Sequence, residues 1–108
     1  MQFDDAAHGL SAHTVAAIAA VLRNFPQVEH AILHGSRARG NFRPGSDIDL
    51  CLVGKGLTVP LLFTIEHALD NLLLPYKIDL SIHEQIDNPE LLAQIERLGI
   101  SLYRRSKE

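Results

Sequence analysis

The chain has 108 residues, enough for one domain around one core and too few for two. With 46% apolar and 21% charged residues it falls in the globular class and outside the disordered one. A formal net charge of -3 gives no general attraction for a nucleic-acid backbone, so a stable duplex binder or a processive polymerase is not expected. The single cysteine, Cys51, rules out an internal disulfide framework and suits a reducing cytoplasm, as a small buried apolar residue. No apolar run approaches the roughly 20 residues that span a bilayer. The first nine residues carry two Asp and no basic cluster, unlike a signal peptide. A cytoplasmic protein without a membrane segment is expected, with residues 1–10 as an N-terminal tail of one domain covering 1–108.

Ser11 is a good N-cap, and Val15, Ile18, Ala19 and Leu22 follow it at helical spacing, predicting an amphipathic helix that stops between Asn24 and Pro26. Residues 28–34 read as a strand that ends at Gly35-Ser36. From there to Ser46 the chain is rich in Gly, Arg and Pro, a loop with room for one helical turn near Ala38. Residues 47–53 alternate strictly, with Ile48, Leu50 and Leu52 on one face and Asp47, Asp49 and Cys51 on the other. Thr58 caps a second helix whose buried face is Leu62, Ile65, Leu69, Leu72 and Leu73, and Pro75 closes it. Residues 76–82 form a third strand, with Tyr76, Ile78, Leu80 and Ile82 opposite Lys77, Asp79 and Ser81. Asn88-Pro89 is an N-cap and N1 pair for a last helix carrying Leu91, Leu92, Ile95 and Leu98, with Gly99 as its C′ residue. Residues 100–103 are a candidate edge strand.

The predicted order is α-β-β-α-β-α. A loop joins the first two strands, which suits an antiparallel pair, and a helix joins the next two, which suits a right-handed parallel crossover. The expected fold is α/β (α+β), a mixed three-strand sheet in the order 1-2-3 with helices on one face and a possible fourth edge strand.

Asp47 and Asp49 lie two apart on one strand, so their carboxylates emerge on one face roughly 6 to 7 Å apart. Like charges at that spacing repel unless a cation lies between them. An oxygen-only donor set suits Mg²⁺ or Mn²⁺. Asp79 has the same parity on the neighbouring strand and can converge on the same place. Singly, each acid reads as a solvated side chain on an open sheet face; together, behind Gly35-Ser36, they read as a site. The glycine permits close backbone approach to an anion, successive N–H groups can cradle phosphate oxygens, and Ser36 adds a hydroxyl. Arg37, Arg39 and Arg43 place cations in the same loop, suited to a triphosphate. His30 and His34 are four apart, too far along a strand to share a zinc ion, and no Cys or His pair completes a set.

The stretch Gly35-Ser36-Arg37-Ala38-Arg39-Gly40, followed by Ser46-Asp47-Ile48-Asp49-Leu50, resembles the signature of the DNA polymerase β-like nucleotidyltransferases, and more narrowly the minimal nucleotidyltransferases (MNT) of bacteria and archaea. It is not a Walker P-loop, because no Gly-Lys-Ser/Thr follows the glycines. The resemblance implies that Gly35 and Ser36 bind the triphosphate of ATP, with Ser46 in the same motif. It implies that Asp47 and Asp49 hold two divalent ions, Mg²⁺ or Mn²⁺. Asp79, in Lys77-Ile78-Asp79-Leu80, matches the third carboxylate, which binds one ion and helps deprotonate the acceptor. His34 departs from the aromatic residue that relatives often carry before Gly-Ser, and it should stack or hydrogen-bond near the site. Relatives of this size pair with small helical HEPN-type toxins. The resemblance therefore implies an antitoxin that transfers AMP from ATP to a hydroxyl of such a partner. Two alternatives stand beside it: a module that neutralises a partner by contact, and the catalytic subunit of a small-molecule adenylyltransferase.

Overall fold

In the computed structural model, which describes residues 8–106, the elements in chain order are α1 (Ala12–Arg23), β1 (His30–His34), the single turn α2 (Ser36–Arg39), β2 (Ile48–Val53), α3 (Val59–Asp70), β3 (Ile78–Ile82), a 3-10 turn (His83–Gln85), α4 (Pro89–Leu98) and β4 (Ile100–Arg104). Residues 1–7 of the expected tail lie outside the described residues. Residues 8–10 do not behave as a tail, because Leu10 is fully enclosed in the core and His8 is buried.

The helix starts follow their capping chemistry. Ser11 Oγ accepts the Thr14 N–H at 3.1 Å, Thr58 Oγ1 accepts that of Leu61 at 3.3 Å, and Asn88 Oδ1 accepts those of Glu90 and Leu91 at 2.9 and 3.3 Å. The helix ends are less regular. α3 stops at Asp70, well before Pro75, and Leu73 sits in the left-handed region at φ 55° with its side chain 88% exposed. Leu73 therefore does not belong to the buried face of α3; Leu72 does pack on the core. Gly99 follows α4 with φ -65° and ψ 144°, extended rather than left-handed, and leads straight into β4. Its lack of a side chain serves packing: a Cβ there would strike the Ile95 carbonyl oxygen and Ile32 Cγ2.

The sheet has the order β3-β2-β1-β4. β1 is antiparallel to β2 and to β4, while β2 and β3 are parallel across the α3 crossover. The fourth edge strand is thus real, and it lies on β1. Along β4, Tyr103 faces Ala31 and Ser101 faces Ile32, which leaves Leu102 as the extra residue of a bulge. That is why Leu102 and Tyr103, although adjacent, are both buried in the same core.

One face of the sheet carries Ala31 and Leu33, Ile48, Leu50 and Leu52, and Ile78, Leu80 and Ile82, packed against Ile18 and Leu22 of α1 and Ile65 and Leu69 of α3. The opposite face carries His30, Ile32 and His34, then Asp49 and Cys51, then Asp79 and Ser81. α1 and α3 cover the core face, but the helices are not confined to that face as expected. α4 packs on β1 where Ile32 points, with Ile95 buried outside the main core cluster. This leaves the acidic end of the second face uncovered. Cys51 is fully buried, as expected for a free thiol used as a small apolar residue. Among the described residues no helix is long and apolar enough to cross a membrane.

Candidate nucleotide and metal site

The strand registers set the acids in a line. His34 on β1 is the Cα partner of Asp49 on β2, and Asp49 is the Cα partner of Asp79 on β3. Because side chains alternate along each strand, these three emerge on the face opposite the core. Asp47 stands exposed just before β2, two residues from Asp49, where the Ile48 N–H donates to the Lys77 carbonyl at 2.9 Å and ties the strand starts together.

Gly35 closes the row from above. It connects β1 directly to α2 at φ 76° and ψ -154°, a conformation essentially confined to glycine. A Cβ at this position would collide with Asp49 Oδ2. The missing side chain therefore opens the space beside that carboxylate and lets the backbone come close to whatever the carboxylate holds. Ser36 begins the helical turn, whose first N–H groups have no acceptor inside it.

The three loop arginines separate into different roles. Arg39 is exposed, and its positive charge favours the ionised form of Asp49. Arg43 is exposed on the loop; its main-chain N–H donates to Ser46 Oγ at 2.8 Å, which uses the Ser46 hydroxyl to shape the turn. Arg37 departs from the expectation of a triphosphate ligand. It is 1% exposed, and its guanidinium donates to the carbonyls of His8, Pro44 and Ser46. An arginine in a Gly-rich loop looks solvated in sequence; here Phe42 and Tyr76 supply the ring faces that enclose it.

The line of charges perturbs its members. Burial raises the Asp49 carboxyl above the ordinary carboxylate range; His34 and Arg39 oppose this, and the negative charges of Asp79 and Asp47 reinforce it. Burial lowers the His34 imidazole below its ordinary value, against the pull of Asp49 and Asp79. The expectation that His34 lies near the acids matches this arrangement. His30, at the far end of β1, is instead within 3.0 Å of Ser101 Oγ and beside Arg104, in a cavity lined also by Glu29, Val53, Arg105 and Ser106. That cavity is remote from the acids, and the Arg105 guanidinium in its wall is occupied by the carbonyls of Arg23, Phe25 and Val28.

Among the described residues no three His, Cys, Asp or Glu side chains are gathered at metal-ligand spacing. Asp47, Asp49 and Asp79 form an open row rather than a cage. An open row of carboxylates with a glycine-walled space beside it fits Mg²⁺, which keeps waters and takes one or two carboxylates together with phosphate oxygens.

A small mixed sheet of this order, with a Gly-Ser turn feeding an Asp-x-Asp strand, defines a nucleotidyltransferase domain. The family model "Polymerase beta, Nucleotidyltransferase" matches residues 16–108, and the chain belongs to that family. No curated protein is a significant sequence match. Among solved structures, the fold is similar to a toxin–antitoxin with AMP-PNP, at TM-score 0.70 and 22% identity over 84% of this chain and 73% of the other. It is also similar to the complex of tri-AMPylated Shewanella oneidensis HEPN toxin with MNT antitoxin, at TM-score 0.65 and 21% identity over 86% and 71% of the two chains. A structure assigned as a minimal nucleotidyltransferase is 30% identical, at TM-score 0.61, over 79% of this chain and 88% of the other.

Proposed function

We propose that this single domain is a metal-dependent nucleotidyltransferase that moves AMP from ATP to a hydroxyl on a partner protein, as the antitoxin of a HEPN-type pair. The observation that carries the reading is the line Asp49–Asp79 across two parallel strands with the Gly35 backbone beside Asp49. Asp47 and Asp49 would hold two divalent ions, with Asp79 contributing to one of them. Such ions, when bound, neutralise the triphosphate and stabilise the attacking and leaving oxygens. Ser36 and the main-chain N–H groups at the start of α2 would take phosphate oxygens, with Arg39 adding a cation.

The remaining step is a displacement that the residues only need to position. The acceptor oxygen bonds to the α-phosphorus, the bond from that phosphorus to the bridging oxygen breaks, and pyrophosphate leaves. Asp79, on the outer of the two acid-bearing strands, takes the hydroxyl proton. Asp47 and Asp79 are exposed, so an acceptor delivered by a partner can reach them. The two toxin–antitoxin structures of similar fold support the same choice. ATP and a free thiol at Cys51 both suit the cytoplasm.

The test is incubation with Mg²⁺, the HEPN-type product of the neighbouring gene, and ATP labelled at either the α- or the γ-phosphate. Label from the α position should enter the partner, and label from the γ position should appear in pyrophosphate. A partner that is inhibited on mixing yet carries no label would instead support neutralisation by contact.

A further inference from the structure

The guanidinium of Arg37 is fully engaged by main chain and rings. Nη1 donates to the His8 carbonyl at 2.8 Å, Nε and Nη2 donate to that of Ser46 at 3.2 and 3.0 Å, and Nη2 also reaches that of Pro44 at 3.3 Å. The rings of Phe42 and Tyr76 lie 5.2 and 4.9 Å from its central carbon. His8 returns the contact, with Nδ1 3.0 Å from the Arg37 carbonyl oxygen. A carbonyl only accepts, so Nδ1 is the protonated nitrogen of this pair. Each residue thus binds the other's main chain. Gly9 makes the close approach possible: at φ 71°, a Cβ there would run into the Phe42 ring and lie 2.8 Å from Arg37 Nη1. Leu10 then anchors the segment in the core.

We propose that residues 8–10 are a strap on the loop of residues 35–46, and that Arg37 is a positioning residue that shapes this loop rather than a ligand of phosphate. The matched family region begins at residue 16, so the strap lies outside it. For Arg37 to reach a phosphate, the buried His8 carbonyl and the part-buried carbonyls of Pro44 and Ser46 would lose their donor, which is costly. The fork of the guanidinium satisfies carbonyls of the strap and of the end of the loop at once. In doing so it ties the turn that carries Ser36 and Arg39, the groups left to face the triphosphate, to both. The consequence for nucleotide binding rests on the function proposed above; the mechanical role of the strap does not.

Two substitutions in the full chain test this, His8→Ala and Arg37→Lys. In His8→Ala, main-chain amides of residues 35–46 should exchange with solvent about 3- to 10-fold faster, while those of β2 and β3 keep their protection. KM for Mg-ATP should rise by a similar factor with kcat within about twofold, because Asp79 is untouched. Arg37→Lys keeps the charge but loses the planar fork, so it should fail to restore parental KM. A lysine variant with parental KM would make Arg37 a charge contact and overturn the proposal. Where Arg37→Lys does not fold, His8→Ala decides: unchanged loop exchange overturns the strap. A parent protein that binds no Mg-ATP would overturn the nucleotide reading alone, and the exchange measurement would still decide the strap.

Discussion

Asp49 is the residue on which the site's costs concentrate. It stands half-buried between Cα partners His34 and Asp79, with Asp47 two residues away. Its carboxyl is raised by burial, so between the ordinary carboxylate value and the folded one the folded chain keeps a proton that the unfolded chain has released. Stability from this group therefore falls as pH rises through that window, and the ionised form is a net cost at neutral pH. We expect Asp49→Asn, without metal at pH 7 and low salt, to gain about 0.5 kcal/mol, or roughly 2 to 4 °C in melting temperature. The gain should vanish below the ordinary carboxylate range, while transfer is lost. A lower melting temperature at pH 7 would make Asp49 structural. His34 has the opposite sign, since its lowered value costs stability as pH falls below the ordinary imidazole range. The acids were legible because a period of two decides which face a strand residue takes. Arg37 was not, because its burial depends on Phe42, Tyr76 and His8, which reach it only in the fold.

At the scale of elements, two glycines separate stability from chemistry. Gly35→Ala adds a Cβ at a positive φ and into the Asp49 carboxylate, so it should cost about 1 to 3 kcal/mol and abolish Mg-ATP binding. Gly99→Ala meets the Ile95 carbonyl at an ordinary φ, so it should cost about 1 to 3 kcal/mol by overpacking while Mg-ATP binding survives. Melting curves beside nucleotide titrations distinguish them, and equal loss of binding in both would remove any special role for Gly35. Helix starts were legible because caps are local: Ser11, Thr58 and Asn88 each stand where their side chains accept from the first turn. Helix ends were less so. Pro75 marks where a helix cannot continue, yet α3 ends earlier at Asp70, and Gly99 is required by contact with β1 rather than by its own dihedrals. The placement of α4 against Ile32 is likewise a tertiary choice, which a stripe of leucines cannot announce.

The whole molecule assigns one sheet face to the core and part of the other to the acids, so the proposed chemistry can fail without the fold failing. Asp79 tests that separation best. Its side chain is exposed on β3, outside the core, and its proposed work belongs to the acceptor. Asp79→Asn should melt within about 2 °C of the parent, as expected for a surface change. It should keep Mg-ATP affinity within about threefold, because Ser36, Asp47 and Asp49 remain, and EDTA should abolish binding in both proteins. Transfer to the partner should slow by about 10² to 10⁴, the usual contribution of a positioned base, with more lost where its share of a metal site weakens. Intact-mass spectrometry of the partner over time measures this directly, since each AMP adds a fixed increment. If Asp79→Asn labels the partner at the parental rate, the base lies elsewhere. His34 would then be the next residue to substitute, because it is the Cα partner of Asp49 on β1.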